Sequence, residues 1–147
     1  MAEIRAAVAK DMQTIRALLE GADLPTSDLP AARRLFLVAR EGSQIVAAGA
    51  LQRFGRSALL RSVVVVAEMR GSGIGRLMVG ALERAAQAAG ITQLVLLTET
   101  AQGFFEQLRY EAIDRKAAPV EMQESEEFRA LCPASATCMA KVLGAGG

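Results

Sequence analysis

Val63-Val64-Val65-Val66-Ala67-Glu68-Met69-Arg70-Gly71-Ser72-Gly73-Ile74-Gly75-Arg76 decides the fold. Four consecutive β-branched valines predict a strand buried on both faces, near the middle of a sheet. Glycines follow at 71, 73 and 75. Beyond them Ile74, Leu77, Met78, Ala81, Leu82 and Ala85 recur at helical spacing and form one apolar stripe. Gly90 is placed to close that helix as its C′ residue. The unit is therefore strand, glycine turn, helix. Bare backbone at a helix start gathers free N–H groups and the positive end of the helix dipole, so the turn predicts a site for phosphate or pyrophosphate.

Reading outward, Ala58 to Val66 is preceded by a turn at Gly55-Arg56 and by a hairpin, Leu35 to Arg40 and Gln44 to Leu51. Upstream lie a strand over Glu3 to Ala7 and a helix over Asp11 to Glu20, with Met12, Ile15, Leu18 and Leu19 on one side. Ala22 to Pro30 holds two prolines and reads as a loop or a broken short helix. Downstream, Ile91 to Leu97 is strand-like and Ala101 to Leu108 a short helix. A strand over Tyr110 to Asp114, a polar helical stretch over Pro119 to Leu131 and a last strand over Ser135 to Leu143 complete the order. A three-strand meander followed by strand-helix-strand predicts an α/β fold: a mixed sheet with helices packed on it.

Composition narrows the function. The chain has 147 residues, of which 52% are apolar, and a formal net charge of +1. That size and apolar content fit one domain with a proper core. No basic run exceeds Arg33-Arg34, so no nucleic-acid or anionic-membrane surface is expected. The apolar stretches are too short to span a bilayer, and Met-Ala-Glu-Ile-Arg is no signal peptide, so the cytosol is the expected location. Histidine is absent, which removes Ser-His and Cys-His nucleophile pairs and His-containing zinc sites. The two cysteines, Cys132 and Cys138, do not complete a metal site, and none is expected. They are packing residues or a thiolate pair for trivalent arsenic.

Three phosphate-binding patterns compete for the turn. A dinucleotide turn needs G-x-G-x-x-G, but the third glycine stands at 75 and position 76 is arginine. A P-loop needs Gly-Lys-Ser/Thr, which is missing. Arg70, Gly73 and Gly75 match Gln/Arg-x-x-Gly-x-Gly/Ala, and here the chain resembles the GNAT N-acetyltransferase superfamily. Ala101-Gln102-Gly103-Phe104-Phe105-Glu106-Gln107-Leu108-Arg109-Tyr110 is similar to that superfamily's Ala-x-x-Phe-Tyr-x-x-x-Gly-Phe segment. The resemblance covers nearly the whole chain and implies a single acetyltransferase domain over 1–147. It implies splayed fourth and fifth strands with acetyl-CoA as co-substrate in the gap. Val63, Val64, Val65, Arg70, Gly71, Ser72, Gly73, Ile74, Gly75 and Arg76 would bind it. The N–H of Val65 would polarise the thioester carbonyl as an oxyanion donor. The family's tyrosine acid is replaced by Phe105, and its glycine before the last aromatic by Arg109. Tyr110 stands at a core aromatic position.

The later segments resemble two narrower groups: the acetyltransferase domain of N-acetylglutamate synthases and the short acetyltransferases that accompany arsenic-resistance genes. Leu97-Thr98 with Thr100-Ala101, and Phe128 to Ala136 with the Leu24 to Leu29 loop, carry these likenesses. Both imply a small α-amino acid acceptor, such as an arsenical or glutamate analogue like arsinothricin. Glu99 is the first candidate for the base that deprotonates the amine, and Asp28 the second, or each is a solvated carboxylate. Thr98 or Ser62 would orient the amine, or satisfy strand backbone. Arg61 would meet an acceptor carboxylate as a bidentate pair, or lie on the open sheet face. Glu99 stands where the synthases carry arginine and would repel an acidic ligand. Other functions compatible with the sequence are a peptide N-terminal acetyltransferase and a non-catalytic acetyl-CoA-binding module. An exposed last strand would allow a homodimer.

Overall fold

A computed structural model describes residues 3–22, 34–125, 128 and 135–144. The elements are β1 (Glu3–Ala6), α1 (Met12–Gly21), β2 (Arg34–Glu41), β3 (Gln44–Phe54), β4 (Ser57–Val65) and α2 (Ile74–Ala88). They continue with β5 (Gln93–Thr98), α3 (Gln102–Gln107), β6 (Glu111–Ala112), α4 (Val120–Gln123) and β7 (Thr137–Val142). The strands form a seven-stranded sheet in the order β1-β2-β3-β4-β5-β7-β6. β1 to β4 are antiparallel neighbours, and the β4-α2-β5 crossover makes the parallel pair. This is the expected mixed sheet, and none of the described helices is long and apolar enough to cross a membrane.

Strand alternation sorts the core into two layers. On one face Leu60 packs with Met78, Leu82, Phe105 and Tyr110 beneath α2 and α3. On the other, Leu59 packs with Met122 and Phe128, and Val64 packs with Ile15 and Leu19 of α1. Each fully buried Leu, Ile or Val contributes about 1.5–3 kcal/mol. Two residues of β4, Ser62 and Val63, face the single Gly49 of β3, because Ala48 pairs with Val64 while Ala50 pairs with Arg61. This is a β-bulge, and it returns Val63 and Val65 to the α2 side.

Several expectations change. Burial on both faces of the strand holds for Ala58–Arg61 but not for Val63, Val65 and Val66, which are half-buried. β5 pairs with β4 only through Ser57–Leu59, so the valines have no strand on that edge. Leu77 is 55% exposed, and Val79 and Ala86 are buried instead, because α2 meets the sheet along Met78 and Leu82. The strand expected over Tyr110 to Asp114 shrinks to two residues. The Pro119–Leu131 helix reduces to Val120–Gln123 among the described residues. The last strand in sequence, β7, is not at the sheet edge; it lies between β5 and β6.

Both helix ends behind the core use the same closure. Gly90, at φ 82°, follows α2, and Ile91 N–H donates to Ala86 O at 2.9 Å. Arg109, at φ 74°, follows α3, and Tyr110 N–H donates to Phe105 O at 3.0 Å. Each is a Schellman closure with a left-handed C′ residue. Arginine at that position carries the Cβ strain that glycine avoids.

Two stability measurements check this packing. Arg109→Gly is expected to stabilise the fold by about 1 kcal/mol, raising Tm by roughly 2–4 °C. A Cβ at Gly49 would stand 2.7 Å from Leu82 Cδ1 and 3.3 Å from Met78 Cγ. Gly49→Ala is therefore expected to cost about 1–3 kcal/mol, since the buried Leu82 must shift. A neutral Gly49→Ala would show that α2 does not press on the bulge.

Candidate active site

The gap beside β4 has a definite chemical edge. Val66 N–H donates to Val46 O on β3 at 2.9 Å, across the Ala47–Val65 pair. In antiparallel pairing that makes Val65 a non-hydrogen-bonded partner of β3, so its own N–H and C=O point away from β3. They point toward β5, which has already parted from β4. A carbonyl in such a place needs a partner. Arg70 supplies one by donating its Nε to Val65 O at 3.2 Å. Val65 thus presents a strand edge inside the sheet, where an extended ligand arm can pair. Val63 lies in the bulge just before it, and Val64 faces α1.

β4 runs directly into the glycine turn. Met69 N–H donates to Val66 O, Arg70 N–H to Ala67 O and Ser72 N–H to Met69 O, so the chain coils tightly there. The Ser72 hydroxyl donates to the same Met69 carbonyl. Gly71 and Gly73 have φ of 82° and 91°. Gly73 is the N-cap of α2, and Leu77 N–H makes the first helical bond to its carbonyl. The N–H groups of Ile74, Gly75 and Arg76 are left for a ligand, as at any helix start. No acidic residue stands in the first turn of α2, so no carboxylate of the helix itself opposes an anion there. Gly71, Ser72, Gly73 and Arg76 are exposed, while the Ile74 side chain is buried in the core and offers only backbone. The turn therefore fits a pyrophosphate and the Val65 edge fits an amide-bearing arm. Together they suit acetyl-CoA.

The proposed acceptor residues sort unevenly. Glu99 follows the C-terminal end of β5, exposed, at the end of the sheet where β4 also terminates. Thr98 Oγ1 accepts from Ala101 N–H at 3.0 Å and so starts α3. Arg61 is 4% exposed on the α1 and α4 face, and its Nη1 donates to Gln52 Oε1 at 3.0 Å. It does not lie open. Asp28 and Cys132 lie outside the described residues.

No aromatic hydroxyl serves as an acid here. Phe105 is buried, edge-on to Tyr110 with centroids 5.4 Å apart. The Tyr110 hydroxyl donates to Glu83 Oε2 at 2.9 Å, and Lys141 Nζ bonds the same carboxylate at 3.0 Å. Burial, and then the Glu83 charge, hold the Tyr110 hydroxyl well above the usual phenol range. This is a structural network, as expected of a core aromatic. Cys138 is likewise buried, and burial pushes its thiol up to about 11, so it packs rather than reacts. Among the described residues no cluster of three metal-ligating side chains occurs.

Sequence reading missed two residues. Phe104 is 36% exposed, and its ring lies 3.4 Å from where a Gly75 Cβ would stand, beside Val65. It walls the gap where the turn begins. The signal was available: of two adjacent aromatics on one helix, only one can face the core. Gln52 holds Arg61 from the next strand, a contact that depends on register and left no local mark.

Comparison with known proteins bears on the fold and the family. No curated protein matches the chain in sequence. Among solved structures, N-acetylglutamate synthase from Neisseria gonorrhoeae, complexed with coenzyme A and L-arginine, superposes with a TM-score of 0.83 at 16% identity. The match covers 97% of this chain and 33% of that one, so the chain spans about a third of the synthase. Rv2747 from Mycobacterium tuberculosis, in complex with CoA, gives 0.82 at 23% identity, covering 96% of this chain and 99% of that one. The ribosomal-protein-S18-alanine N-acetyltransferase from Escherichia coli gives 0.75 at 16%, covering 97% and 94%. The model of the acetyltransferase (GNAT) domain matches residues 32–112, more than half of the sequence and the whole of the β4 edge and its turn, and the chain belongs to that family of acetyltransferases.

Proposed function

We propose that this protein transfers the acetyl group of acetyl-CoA to the amino group of a small amino-acid-like acceptor. The observation that carries this is the continuity of the Val65 strand edge with the Gly71–Gly75 turn. One feature suits an amide-bearing arm and the next its pyrophosphate. In this reading the N–H of Val65 stabilises charge developing on the acetyl oxygen. The free amine attacks the acetyl carbon directly; a C–N bond forms and the C–S bond breaks. Glu99, or water beside it, accepts the proton shed by the ammonium. With Phe105 and Tyr110 unable to supply a proton, the sulfur leaves as thiolate, which a thiol pKa of about 8.5 tolerates.

The acceptor reading rests on Arg61 and on the likeness to the synthases, one of which is bound to coenzyme A and N-acetyl-glutamate. In this reading Arg61 meets the acceptor carboxylate and Thr98 orients the amine; Asp28, the second candidate base, lies outside the described residues. Glutamate analogues and amino-acid arsenicals are the finer candidates. One domain, a cytosolic location and action without metal belong to the same proposal. A peptide N-terminus is the second reading, favoured by the likeness to the ribosomal-protein acetyltransferase.

The test is release of free CoA thiol from acetyl-CoA with amino acids, glutamate analogues including arsinothricin and phosphinothricin, and short peptides. Release with an amino acid is expected. Release with peptides alone would transfer the assignment to protein modification. Gly73→Val is expected to weaken CoA binding by about tenfold or more, because a side chain at φ 91° is strained and fills the phosphate cradle. Far-UV dichroism should be unchanged. Unaltered CoA affinity in that variant would remove the turn from the site.

A further inference from the structure

A second concavity flanks the glycine turn on the β3 side of β4, across that strand from the gap toward β5. It is a cleft of about 530 Å³ between the β2–β3 hairpin and the single helical turn Ala67–Met69. Main-chain bonds fix both walls. Glu41 pairs with Gln44 to close the hairpin. Met69 N–H donates to Val66 O at 3.0 Å, and Arg70 N–H to Ala67 O at 3.3 Å. Val46, buried, and Val66 and Met69, half-buried, give the cleft an apolar floor. The side chains of Glu41 and Gln44 on one wall and Glu68 on the other are exposed. Neither carboxylate has an ion-pair partner among the described residues. The arginines beside them in sequence are engaged elsewhere: Arg40 Nη2 donates to Ser43 O at 3.5 Å and Arg70 Nε to Val65 O at 3.2 Å.

Two carboxylates facing one cleft repel an anion. A hard divalent cation wants six or more oxygens, which an apolar floor does not supply. The complement of this surface is an aliphatic chain charged at both ends. Its methylenes would cover the valines and Met69, and an ammonium would meet each carboxylate. The volume is that of a small-molecule pocket.

We propose that this cleft binds a small aliphatic diamine, with Glu41 and Glu68 holding its two ammonium groups and Val46, Val66 and Met69 its methylene chain. The site is separate from the acetyl-CoA gap, so the inference goes beyond the acetyltransferase reading and stands or falls without it.

The experiment follows the Met69 methyl group by NMR in protein carbon-labelled at its six methionines, with Met69→Leu identifying the signal. No CoA is present. 1,5-Diaminopentane is titrated against n-pentylamine, 1,5-pentanediol and glutarate, which keep the chain length and change the charge. A saturable shift of the Met69 methyl is expected with the diamine. Affinity for the monoamine should be about two- to fivefold weaker, and the diol and the diacid should give no saturable shift. Glu41→Gln and Glu68→Gln alter exposed side chains outside the donor site, so both should fold, which the unchanged signals of the other methionines report. Each should weaken diamine binding by about two- to fivefold, and the double variant by about tenfold. Salt at about 0.3 M should weaken the wild type more than the double variant. The inference is overturned if the diamine gives no saturable Met69 shift, if the diol binds as well, or if the diamine affinity survives the double substitution. A tri-lysine peptide that binds more tightly than the diamine would assign the cleft to a protein partner and overturn it, as would calcium ion displacing the diamine at equal concentration.

Discussion

A sheet strand can be paired on both edges for only part of its length, and here that limit falls in the middle of β4. Ser57–Leu59 have β3 on one side and β5 on the other; Val65 has β3 alone. The bulge at Ser62 and Val63 marks the change. Its extra residue resets which way the following side chains point, so Val63 and Val65 face α2 and Val64 faces α1. The main-chain groups of Val65 are thereby turned toward the gap, and Gly49 lets Leu82 and Met78 sit against the bulge from the other strand. The parting from β5 opens the gap, and the bulge sets which groups of Val65 face it.

Charge is distributed to suit that geometry. The glycine turn keeps acidic residues out of the first turn of α2 and leaves Arg70 and Arg76 near it. Glu83, Lys141 and Tyr110 satisfy one another on the far side of α2, away from the gap. Arg5 and Asp11 do the same near α1, where the Arg5 guanidinium and the Val8 N–H hold the Asp11 carboxyl below its usual range.

Much of this was legible in the residues. The meander, the crossover and the glycine turn follow from local pattern, because turn residues and apolar period act over a few positions. The positive φ at Arg109 was foreshadowed by a missing glycine. The four valines misled, since β-branched composition reports a strand but not where its neighbour departs. The α2 stripe was off by part of a turn, because Leu77 and Val79 are equally apolar and only the line of contact with the sheet separates them. Arg61 drew notice as an arginine, but its burial and its tie to Gln52 depend on cross-strand register, which one strand alone does not encode.

The parting of β4 from β5 also makes ligand binding a term in folding stability. The β1–β4 half and the β5–β7 half share few backbone bonds, and α2 bridges them from one face. An extended molecule paired along Val65 would take the place of an absent strand and tie the halves together. It would bind the native state and not the unfolded chain, so stability would grow with the logarithm of its concentration, by about 2.7 kcal/mol at a hundred times Kd. A cell's supply of the donor would then govern how long the protein lasts as well as how fast it works.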